Sequence, residues 1–139
     1  MILISHRGNL NGINTDRENS IDYIQEALDK GFDVEIDVWD ILGSYFLGHD
    51  EPKQLVKKEF LKNEHLWCHA KNIEGLNSML EDEIHCFWHQ EDDVTLTSKG
   101  YMWTYPGKTL TTNSIAVLPE EEIKDNIAGI CSDYIERLI

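Results

Sequence analysis

Basic residues are scarce in this chain. Lys and Arg number 12 against 26 Asp and Glu, a formal net charge of -14. No basic stripe is available to neutralise a phosphate backbone, which excludes a nucleic-acid partner. Electrostatic adsorption to anionic lipid is excluded on the same ground. Long hydrophobic runs are absent too. Met1-Ile2-Leu3-Ile4-Ser5 meets His6-Arg7-Gly8 at once, so it is too short for a signal-peptide core or a membrane span and reads as a first strand. Cysteine is limited to Cys68, Cys86 and Cys131, an odd number with no CxxC spacing, each in an apolar run. That pattern predicts buried free thiols and a reducing, cytoplasmic setting. Repeats, low-complexity tracts and internal boundaries are missing, so the 139 residues read as one domain spanning 1–139.

What is present is an ordinary globular balance, 41% hydrophobic and 27% charged, organised around Gly31-Phe32-Asp33-Val34-Glu35-Ile36-Asp37-Val38-Trp39. This stretch predicts a short buried strand. Alternation puts Asp33, Glu35 and Asp37 on one face and Val34, Ile36 and Val38 on the other. Carboxylates two apart in an apolar strand are costly unless something positive lies beside them. Paired oxygens of this kind suit a hard divalent cation, Mg2+ or Ca2+. An exposed edge strand with solvated acids is the alternative.

Around that strand the order is strand and helix in alternation. Ile2–Ser5 predicts a strand. Ser20–Lys30 predicts a helix, capped by Asn19 or Ser20 and stopped at Gly31. Further strands are expected over Ser44–Gly48, Leu66–Asn72, Ile84–Trp88, Val94–Thr97, Tyr101–Tyr105 and Ser114–Leu118. Lys53–Leu61 reads as one or two helical turns, Ile73–Leu80 as a helix capped by Asn72, Pro119 as the first residue of another, and the C-terminus as a short helix. About eight strands and three or four helices in this order imply an α/β fold with parallel strands. A complete (β/α)8 barrel usually takes about 200 residues or more, so the expectation is a reduced TIM-type barrel with several helices missing. An open parallel α/β sheet is the alternative.

Chemistry gathers at predicted strand ends: His6 and Arg7, Glu35 and Asp37, His49, His69 and Lys71, then His89. In barrels and open parallel sheets the carboxyl edge of the strands is where active sites lie. A single histidine there means little; four, with an acid pair, point to a site. His65 and His85 are expected away from it, and Trp67, Trp88 and Trp103 in the core, with one free to line a pocket.

His6-Arg7-Gly8, Glu18-Asn19-Ser20, Glu35-Ile36-Asp37 and His49-Asp50, in that order within the first 50 residues, resemble the glycerophosphodiester phosphodiesterase family. Gly129-Ile130-Cys131-Ser132-Asp133-Tyr134 is similar to its closing strand, and Trp103-Thr104 echoes a late one. The resemblance implies a (β/α)8 barrel and roles residue by residue. His6 and His49 match the catalytic histidines. Arg7 and Lys71 match phosphate-binding cations. Glu35 and Asp37 match metal ligands, and Glu18, part of a matching motif, is expected to orient Arg7 or His6. His89, from its place after a strand and not from the resemblance, is either a supporting site residue or a loop residue. One departure is clear: where the family places a third carboxylate ligand, this chain has His69, with Glu18 and Glu91-Asp92-Asp93 as other candidates for the missing acid. An imidazole ligand removes one negative charge from the cage and shifts preference toward Mn2+ or Zn2+.

The expected function is hydrolysis of a small phosphodiester, a glycerophosphodiester or a relative, in lipid metabolism. A divalent metal, Mg2+ or Ca2+ in the first instance, with Arg7 and Lys71, offsets phosphate charge while two imidazoles move protons. An acidic chain needs such cations to hold a phosphate against its own field. The alternative is a phosphate-binding relic of the barrel that has lost turnover. Homo-oligomerisation is compatible with either, a second copy covering exposed strand faces.

Overall fold

The computed structural model describes residues 1–139, and its hub is the strand β2 (Asp33–Ile41). β2 pairs in parallel with β1 (Ile2–His6) through Ile4↔Asp33 to His6↔Glu35. On its other side it pairs in parallel with β5 (Leu66–Ala70) through Val34↔Leu66 to Val38↔Ala70. Beyond the end of β1, Val38 to Ile41 pair antiparallel with β3 (Ser44–Leu47), so Val38 faces Ala70 on one edge and Leu47 on the other. β3 in turn pairs antiparallel with β4 (Gln54–Val56).

The sheet continues from β1 in parallel to β10 (Gly129–Ser132), β9 (Ser114–Val117) and β8 (Met102–Thr104), and then antiparallel to β7 (Val94–Leu96). β6 (Cys86–Phe87) lies in parallel beyond β5. The result is an α/β fold with one mixed, mostly parallel ten-stranded sheet.

Helices are few. α1 (Ile21–Asp29) starts where Ser20 Oγ accepts the Tyr23 amide and ends before Gly31. Its Ile24 and Ala27 are fully buried with Val34, Ile36 and Val38, the apolar face of β2. α3 (Ile73–Glu81) starts where Asn72 Oδ1 accepts the Gly75 amide and buries Met79 in the same cluster. α2 (Lys58–Leu61) is a single turn, and Ile135–Leu138 form a 3-10 turn. No helix is long and apolar enough to cross a membrane.

The sheet's other face gathers Ile4, Trp67, Phe87, Trp103, Ile115, Val117 and Cys131 into one buried cluster. These come from six strands, β1, β5, β6, β8, β9 and β10. The Phe87 and Trp103 rings lie 4.8 Å apart although β6 and β8 are not hydrogen-bonded neighbours. Large aromatic side chains thus fill this face of the sheet.

Three expectations need correction. Gln54–Val56 is a strand rather than helix, because it continues the β3 ladder. Residues after Pro119 form no helix: Glu120–Glu122 are exposed, and Ile123 and Ile127 pack as isolated anchors against Ala116 and Ile130. Ser44–Leu47 is an antiparallel return strand, so His49 follows a hairpin and does not end a parallel strand. His65 and His85 lie off the site, bonded to Asp33 and Thr97. All three cysteines are free and buried.

Candidate functional site

The carboxyl edge of the parallel strands opens into a cavity of about 510 Å³. It is lined by His6, Arg7, Glu35, Trp39, His49, Asp50, His69, Lys71, Trp88, His89, Gln90, Trp103, Tyr105 and Val117. The structure therefore brings His6, Arg7, Glu35, His49, His69, Lys71 and His89 to one space. Asp37 lies beneath it, fully buried, and Glu18 stands outside it.

The floor is acidic. Glu35, Asp37 and His69 each offer a ligand atom, and these atoms lie within 4.8 Å of one another. His69 Nδ1 is 3.4 Å from Asp37 Oδ1 and 3.8 Å from Glu35 Oε2. Glu35 Oε1 and Asp37 Oδ1 are buried without any hydrogen-bond partner. Orphaned carboxylate oxygens carry a desolvation cost of a few kcal/mol unless something compensates them, and a divalent cation fits that need. The third position is His69; Glu18 is turned elsewhere and Glu91, Asp92 and Asp93 are exposed.

Without an ion the two acids settle the conflict by separating. Burial, then the charge of Asp37, pushes Glu35 up to about 7. Burial also opposes ionisation of Asp37, but His69 and the Arg7 guanidinium beside it bring it down to about 2. Paired carboxyls in one dry site divide this way because both cannot hold full charge.

Asp37 is positioned by Asn19. Asn19 Nδ2 donates to Asp37 Oδ2 at 2.9 Å, and its Oδ1 accepts the Asp37 amide at 2.9 Å. Arg7 Nε sits 3.3 Å from the same Asp37 Oδ2, at ion-pair distance but not aligned as a hydrogen bond. Arg7 Nη1 reaches Glu18 Oε1 at 3.4 Å. Glu18 Oε2 accepts from Asn9 at 2.6 Å. Glu18 thus orients Arg7 and is not placed as a cation ligand.

His6 has a partner that the sequence reading did not assign. Its Nδ1 is 2.7 Å from Asp133 Oδ1, with Asp133 on the turn after β10, and Asn9 donates to the same oxygen at 2.8 Å. With Nδ1–H donating to Asp133, the Nε2 lone pair faces the cavity, 3.7 Å from Glu35 Oε1. Burial pulls the His6 pKa down, but Asp133 and Glu35 outweigh it and the net shift is upward. His49 carries its own carboxylate, Asp50 Oδ1 at 2.8 Å from Nδ1. This second pair is solvent-facing and accordingly weaker.

The loop bearing His49 is fixed from two sides. Trp39 Nε1 donates to the Gly48 carbonyl at 2.6 Å, and the Gly48 amide donates to Asp37 O at 3.2 Å. Gly48 has φ +151°, and a Cβ there would lie 1.9 Å from Glu51 O, so only glycine makes this turn. On the far wall, His89 Nε2 and the Tyr105 hydroxyl are 3.0 Å apart. Burial, then the His69 beside it, takes His89 down to about 4, so it is neutral. Asp133, Asn9, Trp39 and Tyr105 were not singled out as site residues from sequence. Asp133 alone carried a signal, as part of the closing motif.

No family model, curated protein or solved structure matches the chain.

Proposed function

We propose that the chain is a metal-dependent phosphodiesterase built on a reduced (β/α)8-type barrel, acting on a glycerophosphodiester or a related small phosphodiester. The barrel reading is supported by the single cluster that six strands build on one face of the sheet. The functional reading is carried by one observation. Two histidines, each with a carboxylate on Nδ1, border the same cavity as Arg7, Lys71 and an acid pair with orphaned inner oxygens. The motifs resembling glycerophosphodiester phosphodiesterases supply His6, Arg7, Glu35, Asp37, His49 and Asp50 of this arrangement.

The side chains divide the work. Arg7, anchored by Glu18 and Asp37, and Lys71 at the cavity wall meet the anionic phosphoryl oxygens. His6, held in one tautomer by Asp133, presents Nε2 for proton transfer at the attacking or leaving oxygen. His49, with Asp50 on Nδ1, performs the complementary transfer. A divalent cation held by Glu35, Asp37 and His69 would neutralise charge on the phosphate as the P–O bonds exchange.

The test uses purified protein with Mg2+, Ca2+, Mn2+ or Zn2+ and bis(p-nitrophenyl) phosphate or glycerophosphocholine. Turnover that is lost in His6→Ala and in His49→Ala supports the proposal. No turnover with any metal, or turnover unchanged in both variants, overturns it. One observation favours a second reading, a phosphate-binding protein without turnover: an imidazole stands at the third ligand position. Phosphate binding without hydrolysis in the same assay would select it.

A further inference from the structure

The three donors on the cavity floor are not of one chemical kind, and His69 is held in a way that fixes which of its nitrogens faces the acids. His69 Nε2 lies 3.2 Å from the His89 carbonyl oxygen. A carbonyl only accepts, so Nε2–H is the donor there and Nδ1 is the ring nitrogen turned toward the acids. Nδ1 meets Asp37 Oδ1 at 3.4 Å and Glu35 Oε2 at 3.8 Å. Both separations exceed the roughly 2.7–3.2 Å of an N–H···O bond. The ring cannot easily swing away: Phe87 and His89 lie nearly parallel to it, at 5.1 Å and 4.5 Å between centroids. Asp37 Oδ2 is already taken by Asn19, which leaves Oδ1 as its free oxygen.

From this geometry we propose that the centre is built for a borderline, transition-type divalent ion such as Zn2+ or Mn2+, ligated through His69 Nδ1, and not for Mg2+ or Ca2+. The inference rests on the metal-dependent reading above and sharpens it. Hard cations take oxygen cages, whereas an imidazole lone pair suits Zn2+ and its neighbours. A ligand histidine whose other nitrogen donates to a backbone carbonyl is the usual outer support of such sites. Tetrahedral ligation with bonds of about 2.0–2.1 Å places donor atoms about 3.3 Å apart, close to the nitrogen–oxygen spacings here. Three protein donors leave a fourth position for an oxygen from the cavity.

Because most sites bind Zn2+ more tightly than Mg2+ in absolute terms, the decisive quantity is how the ratio responds to the imidazole. Affinities of the metal-free full chain for Zn2+, Mn2+, Mg2+ and Ca2+ are measured by titration calorimetry, for the native protein, His69→Glu and His69→Gln. The expected result is a Zn2+/Mg2+ affinity ratio that falls at least about tenfold in both variants, with Mg2+ or Ca2+ affinity rising in His69→Glu. His69→Gln adds no buried charge, so it keeps the comparison available if His69→Glu folds poorly. Co2+-loaded native protein should show visible absorption bands that change on either substitution. An unchanged ratio, or Mg2+ binding as tight as Zn2+ in the native protein, overturns the inference and leaves metal dependence standing. Absence of binding by every ion overturns the metal-dependent reading itself.

Discussion

Asn19→Ala separates the fold from the site more sharply than any change to a ligand. Asn19 is buried and makes two bonds to Asp37, one to its carboxylate and one from its amide. Truncation leaves the buried Asp37 N–H without an acceptor, a loss of about 1–3 kcal/mol. It also removes one of two cationic or polar partners of Asp37 Oδ2, Arg7 remaining at 3.3 Å, which adds about 1 kcal/mol for a hydrogen bond to a charged group only partly replaced. Asn19 further has φ +61°, where alanine costs about 1 kcal/mol more than asparagine or glycine. The expected loss is about 3–5 kcal/mol, a large share of the roughly 5–15 kcal/mol typical of a domain. Urea unfolding at pH 7 measures it, with Asn19→Gly as the control that relieves the backbone cost and recovers about 1 kcal/mol. A loss below about 1 kcal/mol in Asn19→Ala would show that Asp37 does not depend on this clamp, and the account of the buried pair would fail.

Two further outcomes are expected. Asp133→Asn keeps the shape beside His6 but removes the charge that fixes its tautomer; phosphodiester turnover should fall about 10²- to 10⁴-fold in kcat with little change in KM, and an unchanged kcat would refute the role. His85, buried beside Trp67 and bonded to Thr97, is taken down to about 4 by burial and then by Lys99. Its folded pKa is below the unfolded value near 6.5, so the unfolded chain binds the proton first and stability falls as pH drops from about 6.5 toward 4. The native protein should lose more of its urea midpoint between pH 7 and pH 5 than His85→Phe does; equal losses would count against a neutral buried imidazole.

Local signals made the opening of the chain readable. Ser20 and Gly31 bracket α1, Asn72 starts α3, and the alternation of Glu35 and Asp37 with Val34, Ile36 and Val38 places acids and core on opposite faces of β2. Pairings at long range were not readable. On the edge that it shares with β1, β2 passes from a parallel ladder to an antiparallel one with β3, and no residue in it announces the change, so β3 was expected as one more parallel strand. Pro119 followed by three glutamates has the chemistry of a helix start. Behind it stand only Ile123 and Ile127 as buried or half-buried anchors, too few for an amphipathic stripe. In the site, His6, Arg7, Glu35, His69, Lys71 and His89, which line the cavity, were legible from their type and expected strand-end position. Their supports were not, because Asp133 is 127 positions from His6 in sequence and the pairing exists only once β1 and β10 lie side by side.

The contact between β6 and β8 is a seam of side chains and not a ladder. At one end it is pinned, the Ser98 amide donating to Cys86 O at 2.8 Å and Cys86 N to Ser98 Oγ at 2.9 Å. At the other end Thr95 Oγ1 donates to the Trp88 carbonyl at 3.3 Å, and the phenol of Tyr105 and the ring of His89 meet at the cavity wall. Side chains alone hold the cavity end of this seam, so it yields more readily than β2, which is hydrogen-bonded along both edges. The entrance is therefore the adjustable part of this molecule, and the acidic floor the fixed one.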